Sequence, residues 1–174
     1  MFFDESLPEP PASNFTRSFQ DRDLIALIPA MRAFSRTFCR NNTDADDLIQ
    51  ETLTRALANA HRFQRGTKLK SWLFTIMRNT FITSATRYAR ECPGADDCVS
   101  TMGVTGPTQE WSLRSNEVKQ ALERLPRDQR EIIVLVAIAG FPYEEAAEIC
   151  GCAVGTIKSR LNRARRVLER ELGE

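Results

Sequence analysis

Apolar residues recur at steps of three and four along most of this chain, and no stretch shows the two-residue alternation of a half-buried strand with any strength. That regularity restricts the fold to packed helices. Leu24, Ile25, Leu27, Ile28, Met31, Phe34 and Phe38 mark a first helix from residue 21, and Pro29 within it is either a first-turn proline or a kink. "NNTDADDLIQETLTRALANA" opens a second helix. Thr43 or Asp44 is its expected cap, and carboxylates crowd the first turn, where the helix dipole favours them. Its inward stripe is Leu48, Ile49, Leu53, Ala56 and Leu57. After the polar loop "QRGTKLK", a third helix is expected from about Ser71, its N-cap, to Tyr88.

The periodicity fails at two places, and these divide the chain. Residues 1–20 begin "MFFDESLPEPPASN", acidic and proline-rich, a composition that predicts disorder and is wrong for a signal peptide. Residues 91–111 hold two prolines, three glycines and four acidic residues with no basic one, which reads as a linker. Residues 21–90 then form one small helical domain and residues 112–174 another. In the second, Leu113, Val118, Ala121, Leu122 and Leu125 share a face, and "RDQREIIVLVAIAG" is apolar almost all round, which makes it the expected core helix, closed by Gly140. The predicted fold class is all-α, two small helical domains joined by a flexible linker.

The formal net charge is only +1, but the charges are segregated. Residues 61–90 carry Arg62, Arg65, Lys68, Lys70, Arg78, Arg87 and Arg90 with no acid. Residues 156–170 carry Lys158, Arg160, Arg163, Arg165, Arg166 and Arg170 against Glu169 alone. Such segregation is suited to a polyanion. In "RFQRGTKLKSWLFTIMRNTF" cations stand beside aromatic rings, the combination suited to single-stranded nucleic acid, whose bases stack while its phosphates pair. Most of those rings are expected in the core. The better contact candidates are Lys68, Lys70, Ser71, Arg78, Asn79 and Thr83.

The last two helices read as a helix-turn-helix. Ala147 lets them approach, Gly151 turns the chain, and Ile157, Leu161, Ala164 and Leu168 seat the second helix. Lys158, Ser159, Asn162, Arg163 and Arg166 are left facing outward, donors suited to phosphates and base edges in a major groove. The competing reading is a merely solvated basic face.

Other function classes find little support. No phosphate-cradling glycine loop, nucleophile elbow or carboxylate–histidine constellation is present, so the chain does not read as an enzyme. Five cysteines, an odd and irregular set, are expected as reduced thiols, and with His61 the only histidine, no metal or cofactor is expected. No apolar run reaches the roughly 18 residues of a membrane span, so a cytoplasmic protein without membrane insertion is expected.

Three blocks in order, "DADDLIQETLTRAL", "RFQRGTKLKSWLFTIMRNTF" and "LPRDQREIIVLVAIAGFPYEEAAEICGCAVGTIKSRLNRARRVL", resemble a bacterial sigma factor of the extracytoplasmic-function (ECF) group. The second block is most similar to the general-stress (EcfG-like) type of alphaproteobacteria. The resemblance covers about residues 21–90 and 112–172. It implies a sigma region 2-like domain that binds the −10 promoter element and flips a base, through Gln64 to Lys70, Arg78, Asn79 and Thr83, with Trp72 either a melting aromatic or core. It implies a sigma region 4-like domain that reads the −35 element as duplex. There Lys158, Ser159, Asn162 and Arg163 match reading positions, Thr156 lies beside them, and Arg160, Arg165 and Arg166 touch phosphates. Asp46, Asp47, Gln50 and Glu51 would dock on the clamp of the largest subunit of core RNA polymerase, and the flap of the second-largest is the other polymerase contact implied. An anti-sigma factor is the further partner implied, and the chain is expected to be monomeric when free. Two alternatives stand beside this. One is a sigma mimic that sequesters an anti-sigma factor without binding DNA. The other is a dimeric helix-turn-helix repressor, which would need a self-association helix and leaves residues 62–81 unexplained.

Overall fold

The computed structural model describes residues 19–39, 41–63, 68–91 and 111–173. The expectations for residues 1–18, for the loop residues Gln64 to Thr67 and for most of the linker lie outside them. The elements run α1 (Asp21–Ser35), α2 (Asn42–Ala58), a 3-10 turn (Ala60–Arg62), α3 (Leu69–Glu91), α4 (Trp111–Arg124), α5 (Arg127–Ile133), a π-helical segment (Val134–Ile138), α6 (Tyr143–Cys150) and α7 (Val154–Leu172). Among the described residues there is no strand. None of the helices is long and apolar enough to cross a membrane.

In the first domain α1 and α3 both pack on α2. Leu24, Met31, Phe34, Leu48, Ile49, Ala56, Leu73, Phe74 and Met77 are buried between them. Several local expectations are corrected. Pro29 lies inside α1, which excludes the first-turn reading, and the backbone bond it cannot donate is missing from the middle of that helix. The cap of α2 is Asn41, whose side chain accepts from the Asp44 amide at 2.6 Å, rather than Thr43 or Asp44. An extended Asn41 places its carboxamide over the first turn, where the unpaired amides are. Leu57 of the expected stripe is exposed, because helical spacing puts it half a turn around α2 from the buried Leu48. α3 begins at Leu69, so Ser71 sits inside it rather than capping it.

In the second domain α7 packs across α4, α5 and α6. Ala121, Leu125, Ile132, Ile133, Val134 and Leu135 are buried, as the apolar run predicts, while Val118 is exposed. The run is not one α-helix. It widens to a π-turn at Val134–Ile138 and ends at Gly140, whose φ of 69° suits glycine.

The two domains do not stand apart. α3 packs on α6, and α1 on the π-helical segment. One contiguous core runs from Phe34 and Phe74 through Phe141 to Ile157. Phe74 and Phe141 meet edge-to-face with centroids 4.9 Å apart. Burying two phenylalanines at one seam stabilises it by about 1.5–3 kcal/mol for each side chain before ordering costs.

Candidate nucleic-acid interface

The helix-turn-helix is built by a left-handed glycine and a buried stripe. α6 ends at Gly151, with φ 62° and ψ 41°. The Gly151 and Cys152 amides return to Glu148 O and Ala147 O at 3.2 and 3.0 Å, closing the last turn of α6. The chain needs only Cys152 and Ala153 before α7 starts at Val154. Ile157, Leu161 and Ala164 are wholly or almost wholly buried and fix the rotation of α7. Lys158, Ser159, Asn162, Arg163, Arg165 and Arg166 are consequently exposed, and Thr156 is half-buried at the leading end. The four cations of this face stand without an ion pair among the described residues. Ser159 Oγ donates to Thr156 O at 3.0 Å. Arg160 points the other way, its Nε 3.1 Å from Asp128 on α5, so this candidate braces the domain.

The candidates of the first domain divide into two groups. Asn79 and Thr83 are exposed on α3, the Thr83 hydroxyl donating to Asn79 O at 2.8 Å. Trp72 is half-buried, its ring 5.2 Å from Phe63 and 6.0 Å from Phe19, in an aromatic cluster that Phe19 and Phe63 complete edge-to-face. It serves that cluster while keeping one flank open.

Lys68, Lys70, Ser71 and Arg78 instead meet the second domain. Lys68 Nζ and Ser71 Oγ donate to the two carboxylate oxygens of Glu145, the latter at 2.5 Å. Lys70 Nζ donates to Ala139 O and lies 4.6 Å from the centre of the Phe141 ring. Arg78 Nε donates to Glu131 Oε1 at 2.5 Å, with Glu131 almost fully buried. Burial pushes the Glu145 carboxyl up, but the hydrogen bonds from Lys68 and Ser71 and the two lysine charges outweigh it and hold its pKa below the ordinary value. Arg127 adds a cation over the stacked rings of Phe81 and Phe38, at 4.5 and 5.2 Å. Burial lowers its pKa, against the opposing charge of Glu131.

Sequence reasoning missed Glu131 and Glu145. Glu131 had a signal, a lone acid at the head of an apolar run. Glu145 had none, since an acid in a helix first turn is ordinary. Glu131 Oε1 also lies 3.7 Å from Cys150 Sγ. Burial and the Glu131 charge raise the Cys150 thiol to about 12, and burial raises Cys39 to about 11. Cys39, Cys150 and Cys152 are free thiols.

On α2, Asp46, Asp47, Gln50 and Glu51 are all exposed on one side. Asp46 reaches Arg32 of α1 at 3.2 Å, and Glu51 reaches Arg55 at 2.6 Å. Such exposed pairs hold their carboxylates weakly and leave them available to a stronger cationic partner.

Comparison with known proteins places this geometry in a family. The Sigma-70 region 2 profile matches residues 25–91, and the Sigma-70, region 4 profile matches residues 115–168. The chain is 50% identical over 150 residues to the ECF RNA polymerase sigma factor EcfG of Rhodopseudomonas palustris, covering 86% of this chain and 82% of that one. Among solved structures it is similar to the sigma factor RpoE in complex with the anti-sigma factor NepR from Bartonella quintana. That match has a TM-score of 0.78 and 43% identity, over 87% of this chain and 95% of the other. It is also similar to CnrH in complex with the cytosolic domain of CnrY, with TM-score 0.62 and 27% identity over 90% and 92%.

Proposed function

This chain belongs to the ECF sigma factors of the sigma-70 family, and from that premise we propose how its residues divide the work of promoter recognition. It directs RNA polymerase to promoters, and the chemistry of transcription is the polymerase's own. The observation that carries the residue assignment is α7: a buried stripe of Ile157, Leu161 and Ala164 holds an exposed face of Lys158, Ser159, Asn162, Arg163 and Arg166. That face enters the major groove of the −35 duplex with its N-terminal half leading. Asn162 and Ser159 meet base edges, while Arg165 and Arg166 neutralise phosphates.

Asn79 and Thr83 hydrogen-bond a flipped base of the −10 element, Trp72 supplies a stacking edge, and Lys68, Lys70 and Arg78 pair with the strand's phosphates. A flipped base loses a few kcal/mol of stacking, so this pocket has to return both stacking and hydrogen bonds. Asp46, Asp47, Gln50 and Glu51 dock on the polymerase clamp. Each promoter contact is weak alone, and tethering both domains on polymerase raises their effective concentration. The similar solved structure from Bartonella quintana is a sigma factor in complex with an anti-sigma factor. This supports anti-sigma control here, in a general-stress response. The mimic reading is not favoured, because the exposed cations of α7 have no use in a chain that only sequesters a protein.

The test is run-off transcription with core polymerase on a promoter pool, with Asn79→Ala, Arg163→Ala and Asp47→Lys alongside. Specific transcripts are expected from the parent chain. All three variants should weaken them, with Asp47→Lys alone losing polymerase binding. A variant that transcribes like the parent removes its residue from the assignment.

A further inference from the structure

The turn that joins α6 to α7 carries a thiol on each side of its glycine, and the promoter assignment uses neither. Cys150 is the last residue of α6 and is buried, while Cys152 is half-buried against the same core. The spacing of their Cα atoms is set by the dihedrals of Gly151 alone. At φ 62° and ψ 41° the glycine is close to an ideal left-handed helical residue. Mirroring the rise and radius of a helix puts its two neighbours about 5.4 Å apart. Disulfides bridge Cα atoms about 4.4–6.8 Å apart, most often near 5.5–6 Å. An extended residue at this position would part them by about 6.6–7.2 Å, at or beyond that limit. We propose that Cys150 and Cys152 are an oxidation site: a hydroperoxide joins them in a disulfide across Gly151, and the bridged chain reads −35 duplex poorly. The loss of reading rests on the α7 assignment above, and the disulfide does not.

The two thiols take different parts. Cys152, the more accessible, attacks the peroxide. Its sulfur takes the terminal oxygen, the O–O bond breaks, and the thiol proton ends on the leaving alkoxide, giving an alcohol, or water from hydrogen peroxide. Cys152 is then a sulfenic acid. Cys150 resolves it. Its Sγ lies 3.7 Å from Glu131 Oε1, an acceptor placed to take the thiol proton. The Cys150 sulfur attacks the Cys152 sulfur, hydroxide leaves, and the proton held by Glu131 converts it to water. The pair loses two protons and two electrons, and the peroxide gains them. Burial raises the Cys150 thiol to about 12, which suits it to the second part and not to the first. The bridge takes Cys150 Sγ off Glu131 and out of the core. It also strains the joint whose Gly151 and Cys152 amides close α6 on Glu148 O and Ala147 O. α7 starts at Val154, so its direction comes from this joint. A ring spanning one residue is strained, and strained bridges are readily reduced, so reading returns with the thiols.

The test uses the full chain with Cys39→Ser/Cys92→Ser/Cys98→Ser as the parent, which leaves only the two thiols in question. The unsubstituted chain is mapped in parallel and should give the same bridge, which guards against misfolding of the substituted one. Each is treated with hydrogen peroxide, cleared of it and alkylated with iodoacetamide, and intact mass and peptide mapping read the product. The expected product is a monomer two hydrogens lighter, unalkylated at Cys150 and Cys152, and dithiothreitol restores both alkylation sites. With Cys150→Ala the reaction stops at the sulfenic acid, which a 1,3-diketone probe traps on Cys152. Run-off transcription on the promoter pool, with core polymerase added after the peroxide is removed, should fall about tenfold, the loss of about one good base contact, and recover with dithiothreitol. Cys152→Ser should transcribe like the reduced parent and ignore peroxide. Two alkylated thiols after peroxide, or a bridge only between chains, overturn the site. A bridged chain that transcribes like the reduced one overturns the effect on reading. A reduced parent that gives no transcripts overturns the α7 assignment instead, and the mass result still decides the disulfide.

Discussion

Truncating Ile157 to alanine separates the residue that positions the reading helix from those that read. Ile157 is fully buried on α7, where that helix packs on α5 and α6. Its removed methyl groups lose their transfer free energy and leave a cavity, at about 2–5 kcal/mol for Ile→Ala in a core. The site can collapse little, since Ala164 one face-repeat away is already small and Gly151 fixes where α6 ends, so we take about 3 kcal/mol. Because one core runs through both domains, a single melting transition is expected, and at about 2–4 °C per kcal/mol for a chain of this size the midpoint falls by roughly 6–12 °C. Lys158 is the next residue and is exposed. Lys158→Ala should change stability by less than about 0.5 kcal/mol yet weaken −35 binding and lower its salt dependence by about one charge. Circular-dichroism melts and anisotropy titrations across salt concentration read both quantities. If Ile157→Ala melts within about 2 °C of the parent, or Lys158→Ala melts as low as it does, the rotation assigned to α7 is wrong.

Two further outcomes follow from local geometry. Gly151 has φ 62° with open space around it, so Gly151→Ala meets only the backbone penalty of the left-handed region, about 1–2 kcal/mol, while Gly151→Asn should lose less; thermal melts of the two rank them. The Glu145 carboxyl has its folded pKa depressed below 4.5, so its contribution to the seam between the domains is present above that value and is lost as pH falls through the lower folded value. The radius of gyration of the parent chain should then be flat from about pH 8 to about pH 5 and rise below 4.5, and the difference between parent and Glu145→Gln should vanish at the acid end. A difference that persists there refutes the role given to the Glu145 charge.

Much of this was readable before any coordinates. The period of three and four gave the helices of both domains, and the offsets of Ala147, Gly151 and Ile157 placed the turn and the seated face of α7, because these are local geometry written in adjacent residues. The errors were also local and small. Asn41 displaced Thr43 and Asp44 as a cap, since all three are competent and only the path of the chain selects one. Leu57 and Val118 fit their stripes but are left exposed. What could not be read was the seam. Arg78 and Glu131 are far apart in sequence, and each by itself reads as a surface charge. Lys68, Lys70 and Ser71 have the same residue types whether they face phosphates or Glu145 and a carbonyl. Composition states what a side chain can pair with, and only the tertiary arrangement states which partner it has.

The contact between Phe74 and Phe141 also has a history during synthesis. Phe141 is added about 70 residues after Phe74, roughly 3–14 s later at about 5–20 residues per second. Through that interval the emerging first domain shows an apolar face whose own cover has not yet been made. Any protein that fits this face can meet it before the rest of the same chain does. The competition between self-packing and a partner therefore begins at the ribosome, where the partner has a head start.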